Sequence, residues 1–142
     1  MSAPDRDSLA IGTDLVRVAD VRASIERFGT RYLTRVYTAN EVSDCSPGTS
    51  PSAPARLAAR FAAKEAVRKA LRVGDAPIDL RTIEVRRHPE GWCDIILHRE
   101  TAALAARAGI SDLSLSMSHE GAYASAFVVA RKAAPAAHNH HG

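Results

Sequence analysis

The stretch RFAAKEAVRKA (residues 60–70) decides the fold, because it lies inside an unbroken helical segment at the middle of the chain. Alanine, leucine, arginine, lysine and glutamate favour helix, and neither glycine nor proline interrupts residues 56–72. We therefore expect a long central helix over this range. Five of its side chains fall on one side: Leu57, Phe61, Lys64, Val67 and Leu71.

Glu65 lies at the border of this apolar side, about 40° from Phe61. Lys69 follows four residues later, and a glutamate placed four residues before a lysine stabilises an exposed helix by about 0.2–0.5 kcal/mol. The helix alone therefore favours an ordinary surface ion pair for Glu65. A functional carboxylate at this position needs a second acidic group from elsewhere in the chain.

The composition suits one globular domain with a hydrophobic core, since 46% of the 142 residues are apolar and 25% are charged. No apolar run approaches the roughly 18 residues of a membrane span. The polar N-terminus MSAPDRDS does not resemble a secretory signal. Cys45 and Cys93 lack motif spacing, so we expect reduced thiols and a cytoplasmic protein without a membrane partner.

The net charge of +3 is compatible with an acidic partner. The basic residues of the first third are scattered among acids, and only 5% of the residues are aromatic, so we do not expect nucleic-acid binding. These scattered basic residues are Arg17, Arg22, Arg27, Arg31 and Arg35.

The first half of the chain predicts a strand followed by helices. Residues 1–8 are expected to be flexible, and residues 9–18 form a strand in which Gly12 marks a bulge or the approach of a ligand. Asp20 caps a short helix that ends at Gly29. Thr38 and Glu41 fit a capping box. The Ser- and Pro-rich residues 43–55 are expected to form a flexible loop.

The second half predicts two hairpins separated by a helix that ends at Gly109. The first joins residues 82–87 to 92–98, and the second joins 113–118 to 122–130 through a three-residue loop at 119–121. Residues 131–142 are expected to be a disordered tail. The fold class is therefore α+β, a single domain over residues 9–130 with an antiparallel sheet packed on the central helix.

Asp14 is the second acidic group that Glu65 needs. It lies in an apolar strand, where a charge is costly unless paired or solvated, and two carboxylates suit Mg²⁺ completed by phosphate and water. Equally, Asp14 caps or pairs with an arginine at the strand end. Lys69 is a point charge for a phosphate, unless it only pairs at the surface.

Other side chains are candidates for binding a polyanion, although solvent-exposed side chains of these types often have no ligand. Arg60 and Lys64 share the central helix with Glu65, and Ser118 and His119 lie at the tip of the second hairpin. No motif of a serine hydrolase, a P-loop, a dinucleotide fold or a zinc protease is present. The residues alone therefore indicate a magnesium and phosphate site.

Taken together, four segments resemble the holo-acyl-carrier-protein synthases, the short single-domain class of 4′-phosphopantetheinyl transferase, over residues 9–130. The segments are IGTDLV, RFAAKEAVRKA, LSLSMSHEGAYASAFVV and, less specifically, RVYTANE at residues 35–41. The resemblance implies transfer of phosphopantetheine from coenzyme A to a serine of an apo-acyl carrier protein, with release of adenosine 3′,5′-bisphosphate.

The resemblance also implies roles for individual residues. Asp14 and Glu65 hold Mg²⁺, Lys69 stabilises charge on the pyrophosphate, and Glu65 helps to deprotonate the serine. Ser118 and His119 contact the nucleotide end of coenzyme A, with Arg60 and Lys64 as further contacts.

The same resemblance implies a homotrimer with coenzyme A between neighbouring subunits and an acidic carrier protein docked on the arginines of residues 17–35. One departure from the family is Gly91-Trp92-Cys93, where a Gly-Lys-Pro or Gly-Arg-Pro turn is common. The competing hypothesis is a relative that binds coenzyme A or a carrier protein without transferring anything.

Overall fold

The computed structural model of the protein describes residues 8–46 and 48–133. It confirms the α+β class, with five strands, five α-helices and a 3₁₀ helix (Leu80–Thr82) among these residues. The strands are β1 (Leu9–Arg17), β2 (Ile83–Arg87), β3 (Cys93–Leu97), β4 (Ile110–Glu120) and β5 (Tyr123–Lys132). The helices are α1 (Val18–Phe28), α2 (Thr30–Val36), α3 (Ala39–Cys45), α4 (Ala53–Leu71) and α5 (Arg99–Arg107).

Helix α4 is the central helix that the sequence predicts, although it begins three residues earlier and ends one residue earlier than expected. Pro54 lies in its first turn, where proline is well tolerated, and Arg72 ends it in a left-handed conformation. Most of its alanines are buried together with Leu57 and Val67, because neighbouring elements surround the helix on several sides.

A three-stranded antiparallel sheet in the order β1-β5-β4 packs on α4, as the sequence predicts. Alternate residues of β5, among them Ala126, Val128 and Ala130, face the helix and are buried. The other hairpin, β2–β3, forms a separate two-stranded sheet. The domain therefore has two small sheets around one helix.

Gly12 lies where β1 comes closest to α4. A Cβ atom at this position would lie only 1.8 Å from the carbonyl oxygen of Ala66. Residues 9–17 pair with β5 in unbroken register, so the predicted bulge is absent from this described strand. Gly12 therefore makes room for the backbone of α4, and not for a ligand.

Replacing Gly12 by alanine should destabilise the fold by about 1–3 kcal/mol, since the added methyl group forces strand and helix apart. Urea unfolding followed by circular dichroism measures the change. Gly48→Ala is the matched control, because a Cβ there meets no atom within 4 Å. Equal stability of the two variants would contradict the close approach of β1 and α4.

Several predicted boundaries are wrong. The second hairpin has a two-residue turn at Gly121-Ala122, since His119 and Glu120 still pair with Ala124 and Tyr123 in the sheet. The expected loop at residues 43–55 is helical at both ends, in α3 and α4. The expected tail at 131–142 begins as strand, because Arg131 pairs with Leu9, and residues 134–142 lie outside the described structure.

The N-terminal half contains one confirmed and one wrong capping assignment. Thr38 and Glu41 form the predicted capping box of α3. Helix α1 begins at Val18, so Asp20 lies within its first turn instead of capping it, and Gly29 follows its end as predicted.

Of the expected flexible residues 1–8, only Ser8 is described, and its carbonyl accepts a hydrogen bond from Lys132 N at 2.9 Å. Within the described residues, no helix has the length and apolar character of a membrane span.

Candidate active site

Asp14 on β1 and Glu65 on α4 line the same open cavity of about 540 Å³. Both carboxylates are partly buried, with 19% and 28% of their side-chain surfaces exposed. The two acids are 51 positions apart in the sequence, and they reach one site because Gly12 lets β1 pack directly against α4. Besides these two acids, the cavity is lined by Leu15, Val16, Arg17, Asp20, Val21, Ser24, Tyr32 and Phe61.

Lys69 belongs to this group through Asp14. Its Nζ lies 3.0 Å from Asp14 Oδ1 and donates to the carbonyl of Thr13 at 2.9 Å. Glu65 instead approaches Arg68, with 3.9 Å between Oε2 and Nε. Lys69 therefore pairs with Asp14 on the neighbouring strand, and not with Glu65 as helix geometry favoured.

The donor set at this site fits Mg²⁺. Asp14 and Glu65 offer hard oxygen ligands, and Mg²⁺ is commonly held by one or two carboxylates together with substrate phosphates and water. In the described part of the chain, no cluster of three or more acidic, histidine or cysteine side chains forms a complete metal cage. Two carboxylates beside an open cavity therefore leave coordination positions for a phosphate ligand.

Arg60, Ser118 and His119 meet in a second cavity of about 220 Å³. Ser118 and His119 both lie on β4 with exposed side chains, although His119 was expected in the loop that follows the strand. Only 5% of the surface of Arg60 is exposed, and its Nε has no hydrogen-bond partner among the described residues. This cavity has the character of an anion site.

Sequence reasoning missed two further cations of this second cavity, Arg56 and Arg87. Arg56 lies one turn before Arg60 on α4, so helical spacing could have indicated it. Arg87 comes from the end of β2, and no local signal in the sequence connects it with the helix. Asp44 is the acidic side chain that lines the same cavity.

Lys64 does not join either cavity. Its ammonium is fully buried, forms an ion pair with Glu41 Oε1 at 2.8 Å and donates to the carbonyls of Leu80 and Ile83. Burial lowers the pKa of Lys64, against the opposing effect of Glu41. This burial gives no support to the expected contact of Lys64 with coenzyme A, because all three donors of the ammonium are taken inside the fold.

Comparison with known proteins gives the family. A profile of the 4′-phosphopantetheinyl transferase superfamily matches residues 10–128. The chain belongs to this superfamily. It is 42% identical over 130 residues to the holo-[acyl-carrier-protein] synthase of Chloroflexus aurantiacus, covering 84% of this chain and 95% of that protein. It is 43% identical over 122 residues to the enzyme of that name from Desulforudis audaxviator, covering 86% and 92%.

Solved structures agree with this membership. An ACPS–coenzyme A complex of Chronobacterium ammoniagenes matches with a TM-score of 0.75 at 30% identity, over 89% of this chain and 98% of that one. The holo-[acyl-carrier-protein] synthase of Helicobacter pylori in complex with coenzyme A matches with a TM-score of 0.73 at 30% identity, over 84% and 98%. The family resemblance of the four segments is thus confirmed.

Proposed function

We propose that this chain transfers the 4′-phosphopantetheine group of coenzyme A to a serine of an apo-acyl carrier protein and releases adenosine 3′,5′-bisphosphate. The observation that carries the proposal is that Asp14 and Glu65 line one cavity, with Lys69 paired to Asp14, in a chain of this superfamily. The names of the relatives, holo-[acyl-carrier-protein] synthases, support the same reaction.

The reaction needs alignment and charge neutralisation more than a covalent nucleophile. Asp14 and Glu65 would hold Mg²⁺, which supplies positive charge to the pyrophosphate when bound. The serine hydroxyl attacks the phosphorus next to pantetheine, the bond to the nucleotide half breaks, and that half leaves with the electron pair. Glu65 accepts the serine proton, directly or through water. Lys69 neutralises charge on the departing phosphate oxygen.

The second cavity is the proposed site for the nucleotide half of coenzyme A. Arg60, Ser118 and His119 line it together with two more arginines, a set of donors that suits phosphate oxygens. The buried Nε of Arg60 has no partner within the described chain, so a phosphate oxygen would satisfy it.

Within one chain, the described linings of the two cavities have no residue in common. We therefore propose that a neighbouring copy completes the site in a homotrimer. Leu15 supports this arrangement, since it is 65% exposed on the outer face of the sheet and also lines the Asp14 cavity. Ile11 and Phe127 extend the same exposed apolar face, which a second copy would cover.

Leu15→Glu should convert the trimer into single chains, because it places a charge in the proposed apolar interface. Sedimentation velocity measures the change in mass, and circular dichroism checks that the fold is kept. Ala103→Glu, on the exposed side of α5, is the matched control. A wild-type chain that sediments as a monomer, or a Leu15→Glu trimer, would contradict this interface.

The proposed partner is an acidic acyl carrier protein. Phe28, Arg31 and Arg35 line a further open cavity of about 540 Å³. This cavity adjoins the Asp14 cavity, because Tyr32 lines both. A carrier docked by charge on these arginines would bring its serine towards Glu65. Both cysteines are free thiols, which suits the proposed cytoplasmic location.

Mass spectrometry of an apo-acyl carrier protein, incubated with this chain, coenzyme A and Mg²⁺, tests the proposal. We expect the carrier to gain one phosphopantetheine, and EDTA to prevent the gain. A carrier whose acceptor serine is replaced by alanine is the control. Binding of coenzyme A without any transfer would instead support the non-catalytic relative.

A further inference from the structure

Asp20 is a third carboxylate at the Asp14 cavity. It lies in the first turn of α1 with an exposed side chain, and it lines the cavity together with Asp14 and Glu65. An acid in the first turn of a helix stabilises that helix through the helix dipole. This contribution to stability is the same for every substrate, whereas a charge beside the reacting groups also acts on whatever enters the cavity.

Asp20 differs from the other two acids because it has no counter-charge. Lys69 Nζ lies 3.0 Å from Asp14 Oδ1, and Arg68 Nε lies 3.9 Å from Glu65 Oε2. These two acids are also the proposed ligands of Mg²⁺. Within the described part of the chain, Asp20 forms no ion pair. It therefore presents an uncompensated negative charge to a substrate.

The surroundings of Asp20 divide into an acidic and a basic cavity. Arg17 also lines the Asp14 cavity, but its guanidinium lies over the ring of Tyr123, 5.8 Å from the ring centroid. Three acids thus face one arginine among the described lining residues of this cavity. The adjoining cavity, which shares Tyr32, is lined by three arginines and by no acid that the structure describes. Its arginines are Arg31, Arg35 and Arg81.

We propose that Asp20 selects among carrier proteins by the charge beside their acceptor serine. This inference rests on the proposed function, in which the acidic surface of the carrier binds the arginines and its serine reaches Glu65. The residues next to the serine must then enter the acidic cavity. A carboxylate there is repelled by Asp20, whereas a neutral or basic side chain is not. The preferred partner is a carrier that is acidic on its docking surface but neutral or basic beside the serine.

Two versions of one apo-acyl carrier protein test the proposal, identical except for an aspartate or a lysine directly beside the acceptor serine. Mass spectrometry gives kcat/KM of phosphopantetheine transfer to each. We expect the wild-type chain to prefer the lysine version about tenfold, Asp20→Asn to lose most of this preference and Asp20→Lys to reverse it. Asp75→Asn is the matched control and should keep the wild-type preference, because Asp75 is exposed in the turn after α4 and lines none of the cavities described above.

The ratio of the two kcat/KM values separates recognition from a structural role of Asp20, since a weakened α1 lowers transfer to both carriers equally. An unchanged ratio in Asp20→Asn and Asp20→Lys would overturn the proposal, while the transfer itself would still support the proposed function. Equal losses with both carriers, together with weaker Mn²⁺ binding, would instead make Asp20 a metal ligand. If neither carrier gains phosphopantetheine from the wild-type chain, the proposed function fails, and this inference fails with it.

Discussion

Glu65→Gln is expected to lower the rate of phosphopantetheine transfer by about 10³-fold, the scale of losing one preorganised electrostatic group in an active site. The change keeps the shape of the side chain but removes its charge, and with it a metal ligand and the proposed proton acceptor. The fold should be retained, because Glu65 is partly exposed and its ion pair with Arg68 is long, at 3.9 Å. Quenched-flow mass spectrometry of the carrier measures the rate.

Two further measurements decide how this result is interpreted. Glu100→Gln makes the same change at an exposed position of α5 and should leave the transfer rate unaltered. Titration with Mn²⁺, followed by electron paramagnetic resonance, should show weaker metal binding in Glu65→Gln. Wild-type rates in the Glu65 variant would remove this residue from the mechanism, and an unchanged Mn²⁺ affinity would remove it from the metal site.

The central helix could be predicted from local pattern, but its contacts could not. Helical spacing placed Lys64 on the same side as Leu57 and Val67, and all three are buried. That pattern indicated the burial of Lys64, whereas the family resemblance suggested a ligand contact for it. Its partner Glu41 lies 23 positions earlier, on another helix, and no local sequence signal connects the two.

The pairing of Lys69 shows the same limit. A helix alone offers Lys69 the carboxylate of Glu65, four residues before it. Asp14 becomes its partner because a glycine lets β1 lie directly against α4. The sequence contained that glycine, yet a bulge, a ligand or a helix could each have explained it.

Helix α2 was missed because its residues, TRYLTRV, include threonine, tyrosine and valine, which favour helix only weakly. Its first turn contains no acidic residue, and no side chain caps it. Packing supplies what local preference lacks, since Val36 is buried and Leu33 packs against the same core. Secondary structure of this kind follows from tertiary contacts.

Lys64→Met is expected to destabilise the protein by about 3–5 kcal/mol, the usual cost of removing one partner from a buried ion pair. The two side chains are fully buried, so the substitution leaves the carboxylate of Glu41 without a counter-charge in the core. Glu41 also accepts hydrogen bonds from Thr38 N and Val85 N, which fix the carboxylate beside the missing ammonium. Urea unfolding of wild type and variant measures the difference.

The double variant Lys64→Met/Glu41→Gln identifies the origin of this loss. Removing the second charge should recover part of the stability, so the two substitutions should be non-additive by at least about 1 kcal/mol. The single variant Glu41→Gln is the fourth protein that this double-mutant cycle requires. Additive effects would mean that Lys64 contributes through its carbonyl contacts rather than through the ion pair.

Coenzyme A binding by Lys64→Met shows whether Lys64 acts only in stabilising the fold or also contacts the ligand. Below the onset of unfolding, the folded variant should bind coenzyme A with wild-type affinity in calorimetry, because the ammonium of Lys64 points to Glu41, Leu80 and Ile83. Arg60→Gln, one turn earlier on the same helix, should weaken that binding, since Arg60 lines the proposed nucleotide cavity. A selective loss of coenzyme A affinity in a well-folded Lys64→Met chain would restore Lys64 as a ligand contact and contradict the buried pair as its main role.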